Sequence, residues 1–279
     1  MKWERAISRI VRALCGVPLV VLLTVPYVCA VAEQDDLDSY RLRISGFWFY
    51  SQPSGTFRGT NGNGAFDLQN DINFQSYSTP AGEIDWKFTR KNHFYLSATD
   101  FSQTKQVVLN RTVNFQGQTY NVGAIVNAKL QSFVLIPGYR YDIIRRKQGN
   151  FGVQVQLDLF DIKGTLSAAA QVNNGLPQLA TASSGKLRAP LPVAGPTFRI
   201  YVIPNSSRLF VTANVMGMYF FGYGNYVSSV GTVGLTLTRN LAICGGYQLG
   251  SRLNVNTQSN RIGLNLTQKG AVAGLEVSF

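Results

Sequence analysis

The chain has 279 residues, a net charge of +12, 45% hydrophobic residues and only 14% charged residues. An average soluble domain is about 25% charged, so a surface that faces only water is disfavoured, and no run after position 32 reaches the about 20 apolar residues of a membrane helix. The basic residues are scattered apart from Arg145, Arg146 and Lys147, which does not favour nucleic-acid binding. The abundance of glycine (27), tyrosine (13) and phenylalanine (17) instead favours β-strands.

The first 32 residues have the three parts of a secretory signal peptide. Met1–Arg12 carries four basic residues, Ala13–Val25 is apolar, and Ala30 and Ala32 form a small-residue cleavage site. An uncleaved anchor helix is the alternative, but the apolar run is short and contains a proline. We therefore expect export and cleavage of residues 1–32, which leaves residues 33–279 as one domain.

An acidic stretch follows the predicted cleavage site. Asp35, Asp36 and Asp38 stand close together, and we interpret them as a solvated terminus rather than a calcium site. The chain has no His, Cys and Asp cluster with the spacing of metal ligands and no phosphate-binding loop, so neither a metal nor a cofactor is expected.

The rest of the chain alternates apolar and polar residues with a period of two, the pattern of a half-buried strand. Gly82–Arg90, for example, has Ile84, Trp86 and Phe88 on one face and Glu83 among the charged residues on the other. Ten strands are predicted, at 40–51, 82–90, 93–107, 125–144, 151–166, 191–203, 208–221, 226–238, 241–256 and 260–279. Because 65–80 could hold another pair and the last hairpin could be drawn differently, eight or twelve strands remain open.

The links between these strands alternate in length. Every link after an even-numbered strand is short, such as Lys91-Asn92, whereas 52–81, 108–124 and 167–190 are long and polar. Two other links after odd-numbered strands are brief and weaken the pattern. Short periplasmic turns and long outer loops are typical of transmembrane barrels, so both termini are expected on the periplasmic side.

Two all-β architectures fit such strands. In a soluble sandwich the polar faces would meet water, whereas a transmembrane barrel has a polar interior and aromatic girdles. The transmembrane barrel is favoured by three features: aromatic residues near the strand ends, opposite charges on the polar faces, and links that alternate in length. We therefore predict an antiparallel up-and-down transmembrane β-barrel of about ten strands.

The chain ends in GAVAGLEVSF, in which Leu275, Val277 and Phe279 alternate outward. This ending resembles the signal by which bacterial outer-membrane β-barrel proteins are recognised by their assembly machinery. Phe66–Phe74 and the stretch from Ile84 to Asp142 resemble a group of small outer-membrane barrels, and the whole is similar, more loosely, to the OmpW and OmpA type. The resemblance implies a location in the outer membrane and carries over no catalytic residue.

Charged residues on the polar faces are expected to line the lumen. Glu276 on the closing strand should pair with Arg41 or Arg43, and Arg208 should lie toward the periplasm. The predicted lumen charges toward the periplasm are Arg140, Asp142 and Arg199, and those higher in the barrel are Glu83, Asp85, Lys87 and Asp158. They either form a structural plug or a constriction that selects a solute, and ten strands favour the plug because small barrels are filled by side chains.

His93 is the one histidine of the chain, and a barrel enzyme would need it as a general base. It follows the predicted Lys91-Asn92 turn, so we interpret it as a girdle or turn residue. Neither Ser97 nor Asp100 completes a triad with it. A structural or surface-interaction barrel, monomeric and surrounded by outer-membrane lipid, is therefore predicted. A narrow channel for small or apolar solutes is the alternative, and a proteolytic or lipid-modifying enzyme is the less favoured one.

Overall fold

The computed structural model describes residues 37–58, 65–115, 117–168, 171–173, 176–178, 181–220, 224–256 and 263–279. The predicted signal peptide, with Ala30 and Ala32, lies outside the described residues. Within the described ranges, no helix is long and apolar enough to cross a membrane.

Ten long antiparallel strands form one sheet, as predicted. They are β1 (Leu42–Arg58), β2 (Tyr77–Lys87), β3 (Asn92–Val108), β4 (Ile125–Arg146), β5 (Gly149–Ala168), β6 (Thr181–Tyr201), β7 (Leu209–Phe220), β8 (Gly224–Thr236), β9 (Leu241–Asn256) and β10 (Gly263–Ser278). Three-residue strands lie between them, at Ala65–Asp67, Val113–Phe115, Gln118–Tyr120, Gln171–Asn173 and Leu176–Gln178.

The sheet closes because β10 pairs with β1 along its whole length, from Arg43 opposite Ser278 to Arg58 opposite Gly263. A sheet that spans a lipid bilayer must be closed, because an open strand edge would leave backbone N–H and C=O groups without hydrogen-bond partners. A path that starts at Leu42 on β1 and steps from each residue to its partner on the next strand goes once around the barrel. It returns to β1 at Ser54, twelve residues further along. This stagger fits strands tilted by roughly 35–45° to the barrel axis.

Two strands begin at least five residues earlier than the sequence predicts. β2 begins at Tyr77 rather than at position 82, and β6 begins at Thr181 rather than at 191. Both stretches belonged to links predicted as long and polar. They instead continue paired strands, with Pro80 opposite Trp48 and Pro190 opposite Leu159.

The two ends of the barrel differ. The first and last described residues and the turns 88–91, 147–148, 202–208 and 237–240 lie at one end, here called the terminal end. The other end, where β1, β3, β5, β7 and β9 finish, is called the loop end. Outward aromatic residues form two belts. The belt near the terminal end consists of Trp86, Phe88, Phe94, Tyr139 and Tyr141, and the belt nearer the loop end includes Trp48, Tyr50 and Tyr219. Such girdles are typical of transmembrane barrels.

At the loop end the inner face of the barrel becomes apolar. Phe57 on β1 stacks on Phe66 at 5.7 Å between ring centroids, and Phe115 meets Phe66 edge-on at 5.0 Å. Tyr120 donates a hydrogen bond to the carbonyl of Leu166. Other fully buried members of this loop-end core are Leu68, Ile72, Leu109, Val126, Ile162 and Leu191. The connections 65–74 and 109–124 therefore fold into the barrel mouth and fill it.

Candidate functional site: a charged network at the terminal end of the lumen

The chain before β1 folds back across the terminal end of the lumen. Asp38 is only 2% exposed. Its carboxylate accepts hydrogen bonds from Arg43 Nη2 at 2.7 Å, Asn150 Nδ2 at 2.8 Å and Tyr201 Oη at 2.9 Å. These three donors belong to β1, β5 and β6, so a single carboxylate links three parts of the barrel wall. The expected solvated terminus is wrong for Asp38.

The main chain of the same segment is held as well. The carbonyl oxygen of Asp38 accepts from Lys87 Nζ at 2.5 Å and from Arg145 Nη2 at 3.1 Å. Burial alone would raise the pKa of Asp38, but Arg43 and the other nearby cations hold that pKa well below its ordinary value. Asp38 is therefore a carboxylate in this network.

A second group surrounds His93, which is fully buried. Its Nδ1 lies 2.9 Å from Asp85 Oδ1, and its Nε2 lies 3.1 Å from Asp142 Oδ2. Arg140 Nη2 lies 2.9 Å from Asp85 Oδ2, and the hydroxyl of Tyr40 donates to the same oxygen at 2.6 Å. The interpretation of His93 as a girdle or turn residue is wrong, because His93 is paired within β3 and alternates with the outward Phe94, so it takes an inward position.

Glu276 on the closing strand joins the network. It lies 2.9 Å from Arg199 Nη2 on β6 and 3.8 Å from Arg43 Nε on β1. Arg41 is exposed and precedes β1, so its expected lumen position is wrong. Arg208 is also exposed, in the turn before β7.

The predicted two levels of charge need one correction. Lys87 pairs with His93 across β2 and β3, and His93 pairs with Arg140 across β3 and β4. Lys87 and the neighbouring Asp85 therefore lie at the terminal end with Arg140 and not above it. The sequence predicted which side chains point inward. It did not predict how far along the barrel axis each one lies, because that position depends on the stagger between strands in the closed barrel.

Two acids remain further along the lumen. Glu83 accepts a hydrogen bond from the Tyr95 hydroxyl at 2.8 Å, and Asp158, which is fully buried, accepts one from Gln156 Nε2 at 2.6 Å. Neither acid lies within ion-pair distance of a cation among the described residues.

A cavity of about 260 Å³ separates the charged network from the loop-end core. Its wall is polar near Glu83 and Gln154 and aromatic near Phe49 and Phe101. In the described part of the chain, the buried hydroxyls of Thr79 and Thr197, which also line it, have no hydrogen-bond partner. The cavity thus lies between two packed groups of described side chains.

The last strand presents its apolar residues outward. Leu275 and Phe279 are exposed, and Val277 is half-buried. The carbonyl of Phe279 accepts from the backbone N–H groups of Arg41 at 2.6 Å and Leu42 at 3.1 Å. The final residue is therefore fixed at the rim by backbone hydrogen bonds.

Comparison with known proteins gives similarity in structure only. No protein-family model and no curated protein matches the chain. The outer-membrane protease OmpT from Escherichia coli aligns with a TM-score of 0.56 at 11% identity, over 85% of this chain and 96% of that one. The fold is that of an outer-membrane β-barrel protein.

Other outer-membrane proteins also align, with lower scores. Neisserial surface protein A has 12% identity and a TM-score of 0.34, with 85% of this chain and 97% of that one covered. The Pseudomonas putida toluene transporter TodX has 8% identity and a TM-score of 0.34, with 85% and 90% covered. At such identities the likeness is one of fold alone.

Sequence reasoning missed several members of the network, namely Asp38, Tyr40, His93, Asn150 and Tyr201. The parity of β5 and β6 could have placed Asn150 and Tyr201 inward, because they alternate with the exposed Phe151 and Ile200. No periodic signal marks Asp38 and Tyr40, which precede the first strand. In the described part of the chain, no group of three or more His, Cys, Asp and Glu side chains could hold a metal ion.

Proposed function

We propose that the protein is an integral, monomeric outer-membrane barrel that does not conduct solutes and holds a rigid surface outside the cell. The terminal end then faces the periplasm and the loop end faces outward, because barrel termini and short turns are periplasmic. Export follows from the predicted signal peptide, and recognition by the assembly machinery follows from the closing strand with Leu275, Val277 and Phe279.

One observation carries the proposal: the lumen is filled at both ends. At the terminal end, Asp38 is bonded to three strands of the wall. At the loop end, Phe57, Phe66 and Phe115 pack in the barrel mouth. Side chains just fill a barrel of eight strands, and the packing of the described residues at both ends supports a closed lumen in this slightly wider one.

The outer connections support a surface role. Arg111 Nε donates to Asp71 Oδ1 at 2.6 Å, which joins the 109–124 connection to the 65–74 connection. Asp71 also accepts from the backbone N–H of Asp67 at 2.7 Å. Loops held in this way present a preformed surface, which reduces the entropy lost when a partner binds.

A solute-uptake assay tests the proposal. Proteoliposomes that contain the mature protein should swell in arabinose or glycine no faster than empty liposomes. Swelling that rises with the amount of inserted protein would contradict the closed lumen. It would favour the second candidate, a narrow channel that uses the lumen cavity.

We also propose that the barrel is not an enzyme. His93 lies at the terminal end between Asp85 and Asp142, within the network and away from the outer surface. Overexpression should leave the mass profile of lipid A and the pattern of surface proteins unchanged. A new lipid A mass or a cleaved surface protein, absent when His93→Asn is expressed, would contradict this proposal.

A further inference from the structure

A cluster of basic side chains lies on the outer wall of β4, β5 and β6 toward the loop end. Lys129, Lys163, Lys186 and Arg188 all point outward and are exposed. Asp161 is the acid among them, 3.1 Å from Lys186 Nζ and 3.3 Å from Arg188 Nε. Four cations therefore share one carboxylate on this part of the wall, here called the basic patch.

The basic patch begins where the apolar outer surface ends. On β5 the exposed outward residues run from Phe151 through Val155 to Leu157. After Leu159, the next outward positions are Asp161 and Lys163, about 7 and 13 Å further along the strand at 3.3 Å per residue. Because the strands are tilted, the height gained is smaller, so these charges lie within the headgroup layer just beyond the hydrocarbon core.

On the neighbouring strands β4 and β6, the outward residues change from apolar to polar and charged at about the same height as on β5. Pairing sets Asp161 opposite Arg188 on β6 and opposite Phe133 on β4. The next outward residue on β6 is Lys186, and on β4 the next are Gln131 and then Lys129. The apolar wall thus gives way to basic residues on three adjacent strands together.

The arrangement of lysines within the patch favours a bound anion. Lys163 lies directly opposite Lys186 in the pairing of β5 and β6, and like charges opposite each other on neighbouring strands are destabilising. Lys129 lies opposite Thr165, two residues from Lys163 on the same face. Lys129 and Lys163 have no acidic partner among the described residues. An anion between the three lysines would remove the repulsion.

We propose that the basic patch binds the phosphate groups of an anionic lipid in the outer leaflet. Lys129, Lys163 and Lys186 contact the phosphate oxygens, and the acyl chains lie along the apolar wall below, at Leu157 and Leu159. This proposal rests on the membrane orientation given under the proposed function, with the loop end outward. An exposed lysine on the opposite wall, Lys269 on β10, five strands from β5, has Gln52 opposite it and no second lysine beside it. Its basic neighbour is Arg252 on β9, which lies opposite Thr267.

The test uses the mature protein in neutral detergent micelles with bisphosphorylated lipid A as the probe. The wild-type protein should unfold at a higher temperature as lipid A is added, and the same lipid without its phosphates should have a much smaller effect. Since each lysine near an anionic surface contributes a factor of about five, the triple variant K129Q/K163Q/K186Q should need roughly 100-fold more lipid A for half of the effect. The matched control, K269Q, should respond like the wild type.

Four results would overturn the proposal. They are an unchanged response of the triple variant, an equal loss in K269Q, an equal effect of the dephosphorylated lipid, and an equal effect of inorganic phosphate at the same concentration. The last would assign the patch to free anions instead of lipid. Since binding in micelles does not depend on whether the lumen conducts, a failure of this proposal is distinguishable from a failure of the closed lumen.

Discussion

Glu276 on β10 and Arg199 on β6 form an ion pair of 2.9 Å across the lumen, although three strands lie between them along the wall. Both side chains are more than nine-tenths buried. Buried pairs of this kind are costly to break, because the remaining charge has no partner. The pair therefore ties opposite walls of the barrel together.

Removing one member of this pair should destabilise the barrel. For Arg199→Met we expect a loss of about 3 kcal/mol in the free energy of unfolding, since Glu276 then stays buried without its closest cation. Urea unfolding in detergent measures the loss. The double variant Arg199→Met/Glu276→Leu, which leaves no unpaired charge, should recover most of it. If the single and double variants are equally unstable, packing rather than charge is responsible.

Asp38 is expected to keep the terminal end closed. In Asp38→Ala the donors from Arg43, Asn150 and Tyr201 lose their acceptor, so the segment before β1 should detach more often. Cys244, the buried cysteine on the inner face of β9, reports on this opening. Its reaction with a small maleimide should be about tenfold faster, which corresponds to a decrease of about 1.4 kcal/mol in the free energy of opening.

The control for this experiment is the neighbouring exposed residue. Ser39→Ala should leave the labelling rate of Cys244 unchanged, because Ser39 is exposed. Equal rates in the wild type and in Asp38→Ala would show that the segment does not close the lumen.

The stability contributed by Asp38 should depend on pH in one direction. The pKa of Asp38 would be raised by burial, but Arg43, Lys87 and Arg199 hold it well below the ordinary value. An acid whose pKa is lower in the folded state stabilises the protein above its unfolded pKa of about 3.9. That contribution is lost as the pH falls toward the folded pKa.

We therefore expect the difference in unfolding free energy between the wild type and Asp38→Asn to be constant from about pH 7 to about pH 5, and to shrink below about pH 4. Urea unfolding at a series of pH values measures it. A difference that changes mainly near neutral pH would show that another group is responsible.

The loop-end core should depend on its aromatic residues. Phe115 is fully buried and contacts Phe57 and Phe66. Phe115→Ala should therefore lower the free energy of unfolding of the loop-end core by about 3–5 kcal/mol. The 109–124 connection should then be cut much faster by an added protease. Val122→Ala, at an exposed position of the same connection, should leave cleavage unchanged. Equal cleavage of both variants would contradict a packed core at this end.

The sequence predicts the barrel well because period-two alternation and the lengths of the links are local properties. It also predicts an inward position for Arg43, Asp85 and Glu276, since parity within one strand is enough. It does not predict that Asp38 is buried, because a segment outside any strand has no periodicity.

The apolar interior of the loop end was not predicted for a related reason. Phe57 lies on the inner face, at a height where the outer face meets water and no longer lipid. The height at which a strand leaves the membrane depends on the stagger of all ten strands, which follows only from closure. The direction of His93 is a different case, because alternation with the outward Phe94 on the predicted strand 93–107 was enough to place it inward.

Single-channel recording in planar bilayers tests the closed lumen most directly. The mature wild-type protein, inserted from detergent, should leave the current at the baseline of the bare membrane at all voltages that the membrane tolerates. Reproducible steps of current that persist at neutral pH would contradict an account in which Asp38 and Phe115 close the two ends of the barrel.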